Sequence, residues 1–311
     1  MKIVFMGTPD FAVATLSAIH KSSHEILGVV TATDKPAGRG KKLNSSAVKK
    51  YAIANNLQLL QPSNLKDDDF KIDLMNLNAD IFIVVAFRML PKSIWEIPPK
   101  GTINLHASLL PQYRGAAPIN WAIINGESHS GVTTFLIDEK IDTGSILLQN
   151  KVEIHDGDSA GVLYDKLIDE GAKLTLKTIN QIANQSIKAK QQEKGSSKLK
   201  SAPKLNKDNT RIKWNNYSVK IRQFILGLSP YPSAWTELLN GEKRFIFKIH
   251  NAVISSRVLN PGEIEIIKNQ FFVGCLDGSV ELKEVQLEGK KRMKVSDLIN
   301  GNPFLKSCKF S

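Results

Sequence analysis

Ile81-Phe82-Ile83-Val84-Val85-Ala86 is an unbroken apolar run, and four of its six residues are β-branched. That composition and length predict a strand buried on both faces, the central position of a parallel sheet. Moving outward, the same pattern recurs on both sides. Upstream, residues 3–5 and 26–33 read as strands, each followed by a helical pattern (residues 10–20 and 46–54), and residues 57–60 form a short strand. Downstream, residues 103–106, 132–137 and 146–154 are strand-like, and residues 159–183 read as a long helix. Alternating strands and helices predict an α/β domain: a mostly parallel, Rossmann-like sheet with helices on both faces.

At 311 residues the chain is long enough for two cores. Its longest apolar run, residues 81–87, falls far short of the roughly 18 residues of a membrane span. The opening residues are too short an apolar run for a signal peptide. Cys275 and Cys308 make neither a disulfide framework nor a metal site. These features predict a cytoplasmic protein with no membrane association; the histidines show no metal-ligand spacing, so no metal is expected, and no coiled-coil or repeat signal points beyond a monomer.

The net charge of +12 is unevenly distributed. Residues 1–187 balance at 19 basic against 19 acidic side chains, whereas residues 201–311 carry 18 basic and 10 acidic. Such asymmetry predicts an anionic partner for the C-terminal part alone. Residues 188–203 hold almost no large apolar side chain, Leu199 apart, and read as a linker. After it comes an amphipathic helix at 218–228. Short strand-like runs follow at 245–249, 262–268, 271–275 and 279–285, with Asp277-Gly278 as a tight turn between the last two. They predict a small OB-like β-barrel, a common nucleic-acid platform. The expected division is 1–187, a catalytic domain; 188–203, a linker; and 204–311, a basic β-barrel domain.

Chemistry concentrates after the strand at 103–106. Asn104 and His106 alternate onto one side of it, at the carboxyl edge where open α/β sheets bind ligands. An amide and an imidazole there can polarise a carbonyl and handle a proton. A carboxylate could assist from the Gly-bounded turn Asp138-Glu139-Lys140-Ile141-Asp142-Thr143-Gly144, with Asp138, Glu139 and Asp142 all in contention. Residues 35–50 hold six basic side chains and no acid, around Gly38-Arg39-Gly40. This is neither a P-loop nor a dinucleotide fingerprint. Lys35, Arg39, Lys41 and Lys42 suit a phosphate backbone, and Lys290, Lys291 and Arg292 form a second basic cluster.

Asn104-Leu105-His106-Ala107-Ser108-Leu109-Leu110-Pro111, Arg114-Gly115-Ala116-Ala117-Pro118 and Asp142-Thr143-Gly144 resemble the signature of the folate-dependent formyltransferases. Gly7-Thr8-Pro9-Asp10-Phe11, Lys35-Pro36-Ala37-Gly38-Arg39-Gly40, Ala202-Pro203-Lys204-Leu205 and Pro230-Tyr231-Pro232-Ser233-Ala234-Trp235 are similar to the branch of that family acting on methionyl-tRNA. The likeness runs in order from Met1 to about Ile299. It implies transfer of the formyl group of 10-formyltetrahydrofolate to the α-amine of methionine on initiator tRNA, for translation initiation. By resemblance Asn104, His106 and Asp142 are catalytic, Ser108, Leu109, Leu110 and Pro111 contact folate, and the 35–42 loop enters the acceptor end of tRNA. The chain departs from the family at Ala86-Phe87-Arg88, where many members carry Ala-Tyr-Gly, which places Arg88 near the expected pterin pocket. Two rival readings share these residues: a sister formyltransferase acting on a small-molecule acceptor such as a sugar amine, and a non-catalytic RNA-binding protein.

Overall fold

The structure is a computed structural model that describes residues 1–37, 42–192 and 199–311. Arg39, Lys41, the side chain of Lys42 and residues 193–198 of the expected linker lie outside the described residues. The chain forms two compact units. One comprises residues 1–114, 131–152 and 165–201, and the other residues 115–130, 153–164 and 202–311.

In chain order the elements begin with β1 (Lys2–Gly7), α1 (Asp10–His20), β2 (Glu25–Val30) and a small hairpin of β3 (Lys35–Ala37) and β4 (Lys42–Asn44). Then come α2 (Ala47–Ala54), β5 (Leu59–Leu60), α3 (Asp68–Asn76), β6 (Ile81–Val85), the single turn α4 (Lys92–Trp95) and β7 (Thr102–His106). After β8 (Arg114–Gly115) and α5 (Pro118–Ile124) follow β9 (His129–Leu136), β10 (Ile146–Glu153), α6 (Ala160–Ala183) and β11 (Ser201–Ala202).

The main sheet of the first unit runs β10-β9-β7-β6-β1-β2-β5. Pairs from β5 through β7 are parallel, and β9 joins β7 antiparallel. As its composition predicts, β6 is buried along its whole length. Alternation divides its neighbours between two faces. Val4, Met6, Val30, Phe82 and Val84 join Phe70 and Leu74 of α3 in one cluster, and Ile3, Phe5, Ile81, Ile83 and Val85 are buried on the other face. Two helices start on side-chain caps: Ser46 Oγ accepts from Lys49 N at 3.0 Å, and the Asp67 carboxylate accepts from Asp69 N at 3.2 Å.

The second unit holds α7 (Ser218–Gly227), β12 (Ala234–Asn240), β13 (Lys243–Ser255), β14 (Ile264–Ile267), β15 (Gln270–Cys275), β16 (Gly278–Leu287), β17 (Met293–Lys294), α8 (Val295–Asn300) and β18 (Lys309–Phe310). Its sheet order is β14-β15-β16-β13-β12-β18, with β17 on the side of β16. The register of β13 against β16 slips around Asn251, a bulge that lets so long a strand bend. The sheet curls into an antiparallel half-barrel in which Phe310 N–H donates to Gly262 O at 3.1 Å, just before β14. Gly262 has φ +80°, and a Cβ there would lie 3.0 Å from Phe310 O, so the closure favours glycine. Inside, Phe310 stacks on Trp214 at 5.4 Å, beside Phe247 and Phe271. Trp214 and Trp235 are both buried.

Candidate active site

Asn104 lies in register with Val84 of β6 and Phe135 of β9, and His106 with Thr133 of β9. Two residues apart on one strand, the amide and the imidazole share a sheet face. They stand at the carboxyl end of β7, close to where strand order reverses. From β1 the sheet grows through β2 to β5 on one side and through β6 to β7 on the other.

His106 is buried, and its Nε2 is 2.8 Å from Tyr113 O. A carbonyl oxygen only accepts, so Nε2 carries the proton of the neutral ring and Nδ1 is its basic atom. Nδ1 faces Asp142 Oδ2 at 3.7 Å, with side chains only 7% and 12% exposed. That separation exceeds a direct hydrogen bond. A proton arriving at Nδ1 would turn the contact into a shielded ion pair. The structure thus brings His106 and Asp142 together, and Asn104 is half-buried two residues before His106 on β7.

The turn between β9 and β10 explains why Asp142 holds this position and its neighbours do not. The Asp138 carboxylate caps its own turn, accepting from Thr143 Oγ1 at 2.7 Å and Lys140 N at 3.1 Å. Glu139 pairs with Lys92 at 2.8 Å, and that bond holds its carboxyl below the usual carboxylate range. Asp142 itself is left-handed, with φ +56°, a conformation uncommon outside glycine. Two residues on, a Cβ on Gly144 would lie 1.7 Å from Leu136 O, so no larger residue fits the turn.

Ser108 to Pro111 form a wall fixed from behind. Ser108 Oγ donates to Gln112 O at 2.6 Å. The Thr133 hydroxyl donates to Ser108 O at 2.6 Å and accepts from Leu110 N at 3.2 Å and from Gln149 Nε2 at 2.9 Å. Gln149 Nε2 also donates to Leu110 O at 2.8 Å. Leu109 lies over Gly131, where a Cβ would come within 2.6 Å of its Cδ2. Arg88 turns toward the 62–63 backbone, donating from Nη2 to Pro62 O at 2.9 Å and from Nη1 to Ser63 O at 3.3 Å, with its guanidinium over the Phe87 ring.

Among the basic residues, Lys35 is exposed on the β3–β4 hairpin. Lys49 is committed to Asp34 at 2.7 Å, and together with Gln61 it holds the Asp34 carboxyl below its usual range. Lys290, Lys291 and Arg292 are exposed between β16 and β17, where Arg292 pairs with Glu284. Among the described residues no group of three or more His, Cys, Asp and Glu is placed to share a metal ion. Nor is any helix among them long and apolar enough to cross a membrane.

Sequence reasoning missed Gln192. This buried amide, in the stretch read as linker, donates from Nε2 to Asp142 O at 3.0 Å and to Gly144 O at 2.8 Å. Nothing in a Lys-, Gln- and Ser-rich run marks one glutamine as buried.

An open, mostly parallel sheet with the His106–Asp142 contact at the carboxyl end of β7, followed in sequence by a curled antiparallel unit, defines an α/β protein of two units. The chain matches the formyl transferase family over residues 1–179 and the C-terminal domain of formyl transferases over residues 204–303. The chain belongs to the formyl transferase family and is a formyltransferase. A protein of Flavobacterium johnsoniae named methionyl-tRNA formyltransferase is 48% identical over 311 residues, covering 99% of this chain and 98% of its own. The methionyl-tRNA formyltransferase of Bacteroides thetaiotaomicron is 46% identical over 307 residues, 97% of this chain and 95% of its own. Among solved structures, the sugar 3N-formyl transferase WlaRD, determined with dTDP and 5-N-formyl-THF, shares the fold with a TM-score of 0.64 at 24% identity. That match covers 94% of this chain and 99% of the other. HypX from Aquifex aeolicus in complex with tetrahydrofolic acid aligns with a TM-score of 0.67 at 17% identity, over 98% of this chain and 48% of its own.

Proposed function

We propose that the protein transfers the formyl group of 10-formyltetrahydrofolate to the α-amine of methionine on initiator tRNA, working in the cytoplasm as a monomer. The observation that carries the chemistry is the shielded His106–Asp142 contact at 3.7 Å, on the same strand end as Asn104. The near-full-length likeness to methionyl-tRNA formyltransferases supports the choice of acceptor. The amine nitrogen attacks the formyl carbon, and the carbonyl π pair moves onto oxygen. Asn104 Nδ2 donates to that oxyanion, a kind of contact typically worth about 3–4 kcal/mol of barrier. His106 Nδ1 takes the amine proton, and Asp142 stabilises the resulting imidazolium. As the carbon–oxygen double bond re-forms, the bond from carbon to folate N10 breaks and N10 receives the proton. Formyl-methionyl-tRNA and tetrahydrofolate leave, with no net change in protonation.

In this reading Ser108, Leu109, Leu110 and Pro111 form the wall against the folate. Lys35, Arg39, Lys41 and Lys42 contact the tRNA end, and Lys290, Lys291 and Arg292 its backbone. The test supplies purified protein with 10-formyltetrahydrofolate and charged initiator tRNA, beside elongator methionyl-tRNA, uncharged tRNA and an amino sugar nucleotide. Formyl-methionyl product on the initiator alone is the expected result. Product on the amino sugar in place of tRNA would move the protein to the sister activity, and none with any of these acceptors would refute the acceptor assignment.

A further inference from the structure

Of the residues flanking the stretch 193–198, Gln192 touches Asp142 directly and Lys200 reaches His106 only through Tyr113. On one side Lys190 exchanges two 2.8 Å backbone hydrogen bonds with Ile146, at the start of β10. Gln192 follows, only 8% exposed. Its Nε2 spans the catalytic turn, at 3.0 Å from Asp142 O and 2.8 Å from Gly144 O, while its Oε1 accepts from Arg114 Nη2 at 2.7 Å and Nε at 3.2 Å. Guanidinium on one side and carbonyl oxygens on the other admit one orientation of the amide. On the far side, Lys200 O accepts from Tyr113 N at 2.7 Å, and Tyr113 O is the acceptor that sets the His106 tautomer. Lys190, Gln192 and Lys200 fall between the two stretches that match the family domains, which end at 179 and resume at 204.

We infer that Gln192, held by Arg114, is a positioning residue for formyl transfer: it clamps the Asp142 turn in the conformation that aims its carboxylate at His106. Asp142 has a φ of +56°, which a non-glycine residue keeps only when its surroundings hold it there. Gln192 bonds the carbonyls of Asp142 and Gly144, on either side of Thr143, and so removes the rotations by which the turn could relax. Arg114 holds the amide itself, which explains the arginine of the Arg114-Gly115 motif by something other than a substrate contact. This inference rests on the formyl-transfer reading only for its kinetic readout.

The experiment compares the full-length chain with Gln192→Ala and Gln192→Glu. Glutamate keeps the size and the partner of Arg114 but loses both donated hydrogen bonds, so it decides the question if the alanine variant does not fold. Rates are measured with 10-formyltetrahydrofolate and charged initiator tRNA, and amide exchange is followed in residues 138–145. A misplaced reacting group typically costs on the order of a hundredfold, so kcat should fall about ten- to a hundredfold. KM for both substrates should stay within about twofold, because binding groups are untouched, and exchange in the turn should accelerate. A kcat within about twofold of wild type, or a loss confined to KM, overturns the inference. If the wild-type chain forms no formyl-methionyl product, the acceptor assignment fails. Exchange then decides the clamp alone, and unchanged protection in the variants rejects it.

Discussion

Thr133→Val would keep the shape of a fully buried side chain and delete the hydroxyl behind the Ser108–Pro111 segment, the proposed folate wall. Three hydrogen bonds disappear, at 2.6 Å to Ser108 O, 3.2 Å from Leu110 N and 2.9 Å from Gln149 Nε2. Gln149 keeps its bond to Leu110 O. The cost therefore falls on two buried backbone groups, Leu110 N–H and Ser108 C=O. Each such group left unpaired costs about 1–3 kcal/mol, so the substitution should destabilise the first unit by about 3 kcal/mol. For a unit of its size that lowers Tm by roughly 6–12 °C, measurable by calorimetry. A loosened Ser108–Pro111 wall should also raise KM for 10-formyltetrahydrofolate, with little change in the tRNA KM. If Tm moves by less than about 2 °C and the folate KM is unchanged, the hydroxyl does not hold that wall.

Other outcomes follow from the same geometry. Asn104→Ala should lower kcat by about a hundred- to a thousandfold while tRNA binding survives, and full turnover would remove the residue from the mechanism. Arg39→Ala should weaken use of tRNA by about 1.5–3 kcal/mol and leave folate KM unchanged; the opposite split would overturn the loop assignment. Less of that tRNA affinity should then be lost on raising salt. The imidazole of His250 is buried, with the residue only 4% exposed. Burial first, and Arg292 second, hold its pKa below the usual 6.5. The unfolded chain thus takes the proton more readily, and stability of the second unit should fall as pH drops below about 6.5. His250→Leu should flatten the loss of Tm between about pH 7.5 and about pH 5; an unchanged slope would assign the acid sensitivity elsewhere.

The strands of the first unit were legible because period and composition agree. β6 reads as buried from its residues alone, and Asn104 and His106 share a face by alternation alone. Elements whose signal is weak were missed. α3 opens on Asp68-Asp69 and shows the core only Phe70 and Leu74, too sparse a stripe to read as amphipathic. β12 follows Pro230-Tyr231-Pro232, which reads as a turn, and its Trp235 and Leu238 become interior positions only once β13 lies beside it. For the site, spacing left Asp138, Glu139 and Asp142 level, and resemblance had to choose. The structure supplies a physical reason: Asp138 caps its own turn and Glu139 is drawn to Lys92. Gln192 was beyond reach, because its role depends on contacts with Arg114 and the 142–144 backbone that no local pattern encodes.

The grip of Gln192 on the Asp142 turn also sets where this enzyme can be cut and recombined. A chimaera joined at residue 180 would keep every strand of the main sheet and both His106 and Asp142, yet put foreign sequence where Gln192 and the Lys190 pairing belong. Joined after Ser201, it carries its own clasp. With Gln192 in that proposed role, the functional border of the first unit falls about twenty residues beyond the end of its last long helix, α6 at Ala183, where the compact unit itself ends at Ser201.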